Sequence, residues 1–585
     1  MSEPTPIARL GSAGIGRGDD VAVTVHRGTG LGLAIPGERI ACPTDDPIAA
    51  IARIEREVGP RWIWWDRATA DELVRGGVTI ARSWDVLTVH RLLHGGWRTS
   101  IAHVWAWLHG LPSDSLPAMG QLDLLGEHGD EGDPDEPVRP DGHLRPEWIS
   151  GGWARDPDRL GAWAALAWTA AGLQRARIDE RPDPSRTLST AHAESAAELL
   201  CAELTARGLP FDVDEATRII ADAVGPRPVD EADADRRRIA RDDDVLRHLG
   251  PGPRIDLRNP AEVRSMLRRV SVDIPDTRAW RLEQHRDTHP VVEALLRWRK
   301  AERIATTYGY RWLDEHVHGG RLRGEWTSSD GAAGRMTASS GLHNLPAEMR
   351  PAVVAEPAHV FVRADLGQIE PRVLAAVSGD RALVAATQDD DLYQPVAQRL
   401  RVERSVAKVA VLGAMYGATT GESAHALRGL EREYPVAMGF LGEAAAAGQR
   451  GDDVFTIGGR RVRMWVDDSI EGDIERARRV AAARGRFARN AVIQGAAAEF
   501  FKVWTIIVRA RGAAMGAEIV LCLHDELLVQ VPDVDTDAAT TLLTDALWEA
   551  ADRWSPEPDV RFVADVSVLH RWSDLPSAGS GRLTL

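Results

Sequence analysis

Two stretches, far apart in the chain, each carry a carboxylate at the point where an apolar run stops. In the first, Val360, Phe361 and Val362 form a β-branched and aromatic run that predicts a buried strand, and the run stops at Asp365. Gln368, Ile369, Glu370, Arg372, Val373 and Leu374 follow at helical spacing, so Asp365 stands at the C-terminal end of a strand where a helix begins. Taken alone, an Asp there is a helix cap. The second stretch changes that reading. Residues 519–531 run apolar, then His524, Asp525 and Glu526, then apolar again, the pattern of a hairpin with polar residues at its tip. Two strand-end carboxylates held close repel unless they are protonated or neutralised, and Mg²⁺ with oxygen ligands neutralises them. The chemistry on offer is that of a divalent metal held by carboxylates.

A third stretch supplies positive charge. Arg404, Lys408, Leu412 and Tyr416 are four apart and share one helical face. A solvated amphipathic helix would not mix these types on one face. A helix facing a nucleotide would, with charge at its start for phosphates and apolar groups at its end for sugar and base. Lysine is scarce here: of 71 basic residues only Lys300, Lys408 and Lys502 are lysine. With a reference pKa near about 10.4, lysine can act as a general acid, whereas arginine, above about 12.5, does not readily release its proton. Arg486, Asn490 and Gln494 also share a helical face, which reads equally as a binding surface or a solvated one.

The elements that must position these groups need a large scaffold. A chain of 585 residues allows three or four domains, and 44% apolar residues is ordinary for a globular protein. No run of 18 apolar residues and no signal pattern occur, so the expectation is no membrane span and a cytoplasmic protein. Cys42, Cys201 and Cys522 lie far apart without a CxxC pair, which argues against a disulfide framework or zinc site. The net charge of −16 speaks against a nucleic-acid partner until its distribution is read. Residues 112–158 are densely acidic, while 460–489 hold nine arginines against five acidic residues. Phosphate binding follows the local field, so a basic groove on an acidic protein is allowed.

Residues 1 to about 185 read as one α/β unit. Val21, Val23 and Val25 alternate as a strand, Arg61–Trp65 reads as another, and Leu87–Leu93 and residues 160–175 read as helices. An acidic, Pro- and Gly-rich loop spans about 126–144, and a Pro- and Arg-rich joint at 181–187 closes the unit. From about 190 the chain is largely helical, including 259–264 and 289–302.

The stretches around Asp365 and Asp525 resemble motifs A and C of the family A DNA polymerases, over roughly residues 190–580. Further motifs stand in the family's order: Gly334–Pro346 before motif A, Arg404–Gly417 as motif B, the hairpin Gly458–Arg463, and Arg486–Gly495. The resemblance implies an α/β exonuclease-like (RNase H-like) domain at 1–187, followed by an α+β right-hand polymerase. Its thumb would be 188–320, its palm 321–383 and 485–585, and its fingers 384–484. The implied activity is template-directed addition of deoxynucleotides to a primer 3′ end by two-metal nucleotidyl transfer, releasing pyrophosphate.

By the same resemblance Asp365, Asp525 and Leu366 hold two Mg²⁺, with Mn²⁺ as an alternative. Glu526 supports them as a nearby carboxylate, and His524 meets the primer end. Arg404 binds the triphosphate, and Lys408 donates a proton to leaving pyrophosphate. Glu370 and Tyr416 form a steric gate against a ribose 2′-OH. Gln368, Tyr393, Leu412 and Leu366 complete the nucleotide contacts. Arg335 reads the primer–template minor groove, whose acceptors occur on every base pair, and Arg486, Asn490 and Gln494 contact template and primer. Partners would be primer–template DNA and dNTPs, bound by a nucleoid-associated monomer. A separate 5′-nuclease domain is not expected in this length.

The departures from the family pattern are specific. Ala333 stands for Thr, Leu412 for Phe or Tyr, Tyr393 for His, and Gly367 and Pro371 for Ser and Leu; they bear on nucleotide affinity and sugar selectivity. The first strand lacks the Asp-x-Glu of a 3′–5′ exonuclease, and Trp163–Trp168 replaces its Tyr and Asp. Asp71 and Asp85 are the remaining candidates. The expectation is a domain kept for shape, with proofreading lost. The alternatives are a polymerase with a live 3′–5′ exonuclease and a non-catalytic primer–template binding protein.

Overall fold

The computed structural model describes residues 5–96, 100–113, 116–117, 132–250, 252, 254–417, 423–465, 474–523 and 525–574. The alternating valines near the N-terminus form β1 (Asp20–His26), which pairs antiparallel with β2 (Gly30–Ile35); β2 in turn pairs antiparallel with β3 (Glu38–Cys42). On its other side β1 runs parallel to β4 (Arg61–Trp64), and β4 to β5 (Ser83–Asp85), giving the order β3-β2-β1-β4-β5. The helix predicted near 160–175 spans Pro157–Asp179 and lies against β2. It comes so close that a Cβ on Gly32 would sit 2.1 Å from the Leu160 carbonyl carbon, which is why glycine occupies that strand position. Trp62, Trp64, Trp84 and Trp148 are fully buried around this sheet. Residues 118–131, which take in the start of the predicted acidic loop, lie outside the described residues.

Of the predicted joint at 181–187, only 181–183 lie between that helix and the next, Pro184–Arg207, whose first turn is capped by the Asp183 side chain. The short β6 (Leu209–Pro210) pairs with β8 (Arg321–Leu322), and β8 with β7 (Val317–His318). Between them rises a helical arm that includes Glu231–Leu246, Pro260–Arg269 and Pro290–Thr307. It has its own core of Val245, Val263, Leu267, Leu295 and Trp298.

The largest core surrounds a second sheet. A hairpin of β9 (Trp326–Asp330) and β10 (Arg335–Ala338) leads to β11 (His359–Leu366). After a helical stretch and the small hairpin β12 (Val454–Phe455) and β13 (Arg461–Val462) come β14 (Glu518–Leu523), β15 (Glu526–Pro532) and β16 (Ala564–Leu569). They assemble antiparallel in the order β14-β15-β11-β16. The helix Thr536–Trp554 packs on this sheet and on the long helix Ile474–Gly512. By length and composition that long helix could cross a bilayer, but 89% of its most apolar window is buried inside the protein, so it is the spine of the core.

Candidate active site

Residues from two distant stretches meet at one end of the second sheet. Asp365 faces Glu526 across β11 and β15, and Asp565 across β11 and β16. The Leu366 N–H donates to the Asp525 carbonyl at 2.8 Å, which fixes the hairpin tip against the end of β11. The carboxylates crowd one another. Burial first, and then the charge of Asp525, push the Asp365 carboxyl up to about 6, against the pull of Arg363. Burial likewise raises Asp525. Arg363 Nη2 donates to Asp365 Oδ2 at 3.2 Å and to Glu526 Oε2 at 3.1 Å, and Trp572 Nε1 donates to Glu526 Oε1 at 2.6 Å. Both Glu526 oxygens thus accept hydrogen bonds, and its charge adds to the rise at Asp365 and Asp525. His524 lies outside the described residues.

This donor set fits a divalent cation. Mg²⁺ is usually bound by one or two carboxylates and completes its shell with water and substrate phosphates. Asp365 and Asp525 supply the two carboxylates, and burial first and neighbouring carboxylate charge second raise both, costs that a bound cation would offset. The Leu366 side chain is buried and apolar, so its contribution could come only from its main chain.

The turn after β11 is held from below. Gln368 takes φ +54°, a left-handed conformation costly for a residue with a side chain, and that side chain explains why it is kept. Its Oε1 accepts from Leu392 N at 2.8 Å and its Nε2 donates to Asp391 Oδ1 at 3.2 Å. Arg372 is fully buried and donates to the carbonyls of Gly367, Thr387, Asp389, Asp390 and Arg561 at 2.6–3.1 Å. It ties the turn to segment 387–391. Asp391 then receives Arg404 Nε, and the Arg404 guanidinium lies 5.7 Å from the centre of the Tyr393 ring. Tyr393 itself is buried, and burial pushes its hydroxyl up to about 12.

The predicted basic helix spans Arg404–Tyr416. Ala407, Ala410, Val411, Ala414 and Met415 are buried, which leaves Arg404, Lys408 and Tyr416 exposed on the opposite face with Leu412 partly covered. Lys408 has no hydrogen bond or ion pair among the described residues. The Tyr416 hydroxyl donates to Glu370 Oε2 at 2.9 Å, and Arg335 Nη2 donates to Glu370 Oε1 at 2.8 Å. Burial first, then the Glu370 charge, raise the Tyr416 pKa. Gly417 ends the helix at φ +72°, where a Cβ would lie 2.9 Å from Arg486 Cγ. Arg486 is exposed, Asn490 and Gln494 are half-buried, and Gln494 reaches Tyr416. Contacts thus link Arg335, Glu370, Tyr416 and Gln494 in one group, and Gln368, Tyr393 and Arg404 in a second around Asp391.

Four residues of the site went unnoticed in the sequence: Arg363, Arg372, Asp391 and Asp565. Arg363 carried a signal, being a charged residue inside an apolar strand and two positions from Asp365, hence on the same strand face.

The two candidates in the N-terminal unit are engaged elsewhere. Asp85 is buried, caps the helix Val86–His94 through Thr88 N at 2.8 Å, and accepts from Trp64 Nε1 at 3.0 Å. Burial, reinforced by Glu198, pushes it up to about 7. Asp71 accepts from Arg67 Nε at 3.1 Å.

An antiparallel sheet with carboxylates at its end, a helix with an exposed basic face and a separate helical arm are the features to set against known proteins. A profile described as DNA polymerase family A matches residues 262–574, more than half of the sequence, and the chain belongs to that family. DNA polymerase I of Chloroflexus aurantiacus is 32% identical over 298 residues, covering 46% of this chain and 31% of that protein. The thermostable DNA polymerase I of Thermus aquaticus is 30% identical over 297 residues, covering 46% and 35%. The alignments thus span about a third of these relatives. DNA polymerase theta of Caenorhabditis elegans is 27% identical over 314 residues, covering 50% of this chain and 19% of that one. A solved structure described as the POL domain of Pol1 from M. smegmatis in complex with DNA primer-template and dNTP shares the fold. Its TM-score is 0.68 over 98% of this chain and 99% of that chain, at 21% identity.

Proposed function

We propose that this protein is a template-directed DNA polymerase that extends a primer 3′ end with deoxynucleotides and releases pyrophosphate. Primer–template DNA and dNTPs are its partners, two Mg²⁺ its cofactors, and it works as a monomer on the nucleoid. The observation that carries this reading is the meeting of Asp365 and Asp525 at one sheet end, in a chain that also has a helix with Arg404 and Lys408 exposed. Bound at those carboxylates, divalent metal would supply charge neutralisation and a more acidic primer hydroxyl.

The remaining work belongs to side chains. Arg404 exchanges Asp391 for triphosphate oxygens, and Lys408, unpaired and exposed, protonates the departing pyrophosphate. Glu370, fixed by Tyr416 and Arg335, occupies the space a ribose 2′-OH would need. Tyr393 and Leu412 border the nucleotide, and Arg486, Asn490 and Gln494 line the path of the template. Catalysis is positioning plus charge stabilisation.

In this reading residues 1–187 are an exonuclease-like domain kept for shape, 188–320 the thumb, 321–383 and 485–585 the palm, and 384–484 the fingers. The engaged side chains of Asp71 and Asp85 support lost proofreading. A labelled primer–template with Mg²⁺, run with and without dNTPs, tests the whole reading against Asp525→Ala. Extension lost in the variant, with no shortening when dNTPs are withheld, is expected. Shortening that survives Asp525→Ala would mean a live exonuclease, and no extension by the intact protein would overturn the polymerase reading.

A further inference from the structure

Beside the Gly334–Arg335 turn lies a buried ionic cluster that the reaction itself does not use. Lys502, fully buried on the long helix, donates to Glu194 Oε1 at 2.6 Å, to Glu194 Oε2 at 2.7 Å and to the Gly334 carbonyl at 2.7 Å. Its three N–H donors are thereby all used. Glu194 comes from the helix Pro184–Arg207 and also pairs with Arg460 Nη2 at 2.7 Å. Arg460 donates through Nη1 to Ser329 Oγ at 3.1 Å, on the strand leading into the same turn. The turn is tightly seated: Gly334 takes φ +67°, and a Cβ there would lie 2.3 Å from the Arg460 guanidinium carbon. Glu499, beside them, accepts from Thr456 Oγ1 and from Gly458 N at 3.1 Å, and burial raises it to about 7.

The next residue after Gly334 is Arg335, which holds Glu370, which holds Tyr416. A continuous path of bonds therefore runs from Lys502 through one backbone carbonyl to the sugar gate. We propose that Lys502, locked by Glu194, is a positioning residue for deoxynucleotide selection: it sets the Gly334 turn, and so aims Arg335 at Glu370. The proposal rests on the polymerase reading above and adds to it a residue that touches neither nucleotide nor DNA. It also accounts for a lysine that arginine has not displaced. A compact ammonium satisfies three acceptors converging from different directions, which a planar guanidinium fork does not.

The test is a mutant cycle. Lys502→Met/Glu194→Gln removes the Lys502–Glu194 pair together, while the glutamine amide oxygen keeps an acceptor for Arg460. Arg335→Met removes the aimed group, and the triple variant closes the cycle. For each protein the ratio of kcat/KM for a dNTP to that for the matching rNTP is measured in single-nucleotide extension. With Arg335 present, the Lys502→Met/Glu194→Gln change should lower the ratio by about tenfold or more, the worth of a hydrogen bond to a charged group. Without Arg335 it should change the ratio by less than about twofold. Equal loss in both backgrounds would mean a general structural role and would overturn the proposal. If the double charge removal prevents folding, Lys502→Arg carries the same cycle.

Amide hydrogen exchange across residues 333–338 in the DNA-free protein gives a readout that needs no activity. Protection should fall in the Lys502 variant, and unchanged protection would overturn the positioning itself. Lost protection in the variant, together with an intact protein that extends no primer, would instead overturn the polymerase reading and leave the turn-setting role standing.

Discussion

Replacing Asp365 by Asn should make the metal-free protein more stable at neutral pH while abolishing its proposed activity. In the fold the Asp365 carboxyl is raised from 3.8 to about 6, by burial and then by Asp525. A carboxyl raised in this way favours the fold while it is protonated. That contribution is complete below about pH 3.8 and is lost as pH rises through about 6. A full conversion would make the ionised group cost about 3 kcal/mol above pH 6. Because 38% of the side chain is exposed, solvent screens the repulsion, and about 1–2 kcal/mol is the working figure. At roughly 2–4 °C per kcal/mol for a domain of this size, Asp365→Asn should melt a few degrees higher at pH 8 in EDTA. The difference should close as pH falls toward 4. Added Mg²⁺ should reverse the order, since only the wild-type protein gains the stabilisation of a bound ion, about 2.7 kcal/mol at a hundred times the Kd. Melting curves at several pH values, with and without Mg²⁺, read all three effects. A variant less stable than wild type at pH 8 in EDTA, or a difference independent of pH, would refute the electrostatic reasoning.

Other substitutions probe separate parts of the site. Lys408→Ala and Lys408→Arg should both slow single-turnover incorporation by about 10²–10⁴-fold, as expected for loss of a general acid, with Lys408→Arg retaining nucleotide affinity. Glu370→Ala releases both Tyr416 and Arg335, and competition between a dNTP and its rNTP should show ribonucleotide incorporation rising about tenfold or more. Asp85→Ala should lose about 1–2 kcal/mol from the helix cap. Asp85→Asn keeps that cap, and it should gain on wild type as pH rises through about 7, because the raised Asp85 carboxyl loses its stabilising proton over that range. Neither change at Asp85 should alter the length of a labelled primer incubated without dNTPs.

What could be read in the sequence was what is local and periodic. The strand into Asp365, the helix Arg404–Tyr416 and the hairpin around Asp525 each announce themselves through apolar runs broken by polar residues at fixed spacing. The outward face of that helix was legible because residues four apart must share a side. What could not be read was which distant groups answer each charge. Arg372 looks like one more helical surface arginine until the turn at Gly367 and the carbonyls of Thr387 and Arg561 close around it. Lys502 sits in an apolar helical run, and nothing in that run points to Glu194 or Gly334. Glu526, adjacent to Asp525 in sequence, reads as a second site carboxylate, and strand pairing sets it opposite Asp365, but nothing local shows that Arg363 and Trp572 bind it.

Asp365 and Asp525 are proposed to form a metal-dependent site that adds the nucleotide a template specifies. The direct measurement offers the four dNTPs one at a time, with Mg²⁺, over a primer–template whose next template base is known, to the wild-type protein and to Asp365→Asn. Addition of the complementary nucleotide alone, abolished by EDTA and by the variant, is the predicted result. Addition without regard to the template base, or addition that persists in Asp365→Asn, would rule out a templated metal site at these carboxylates.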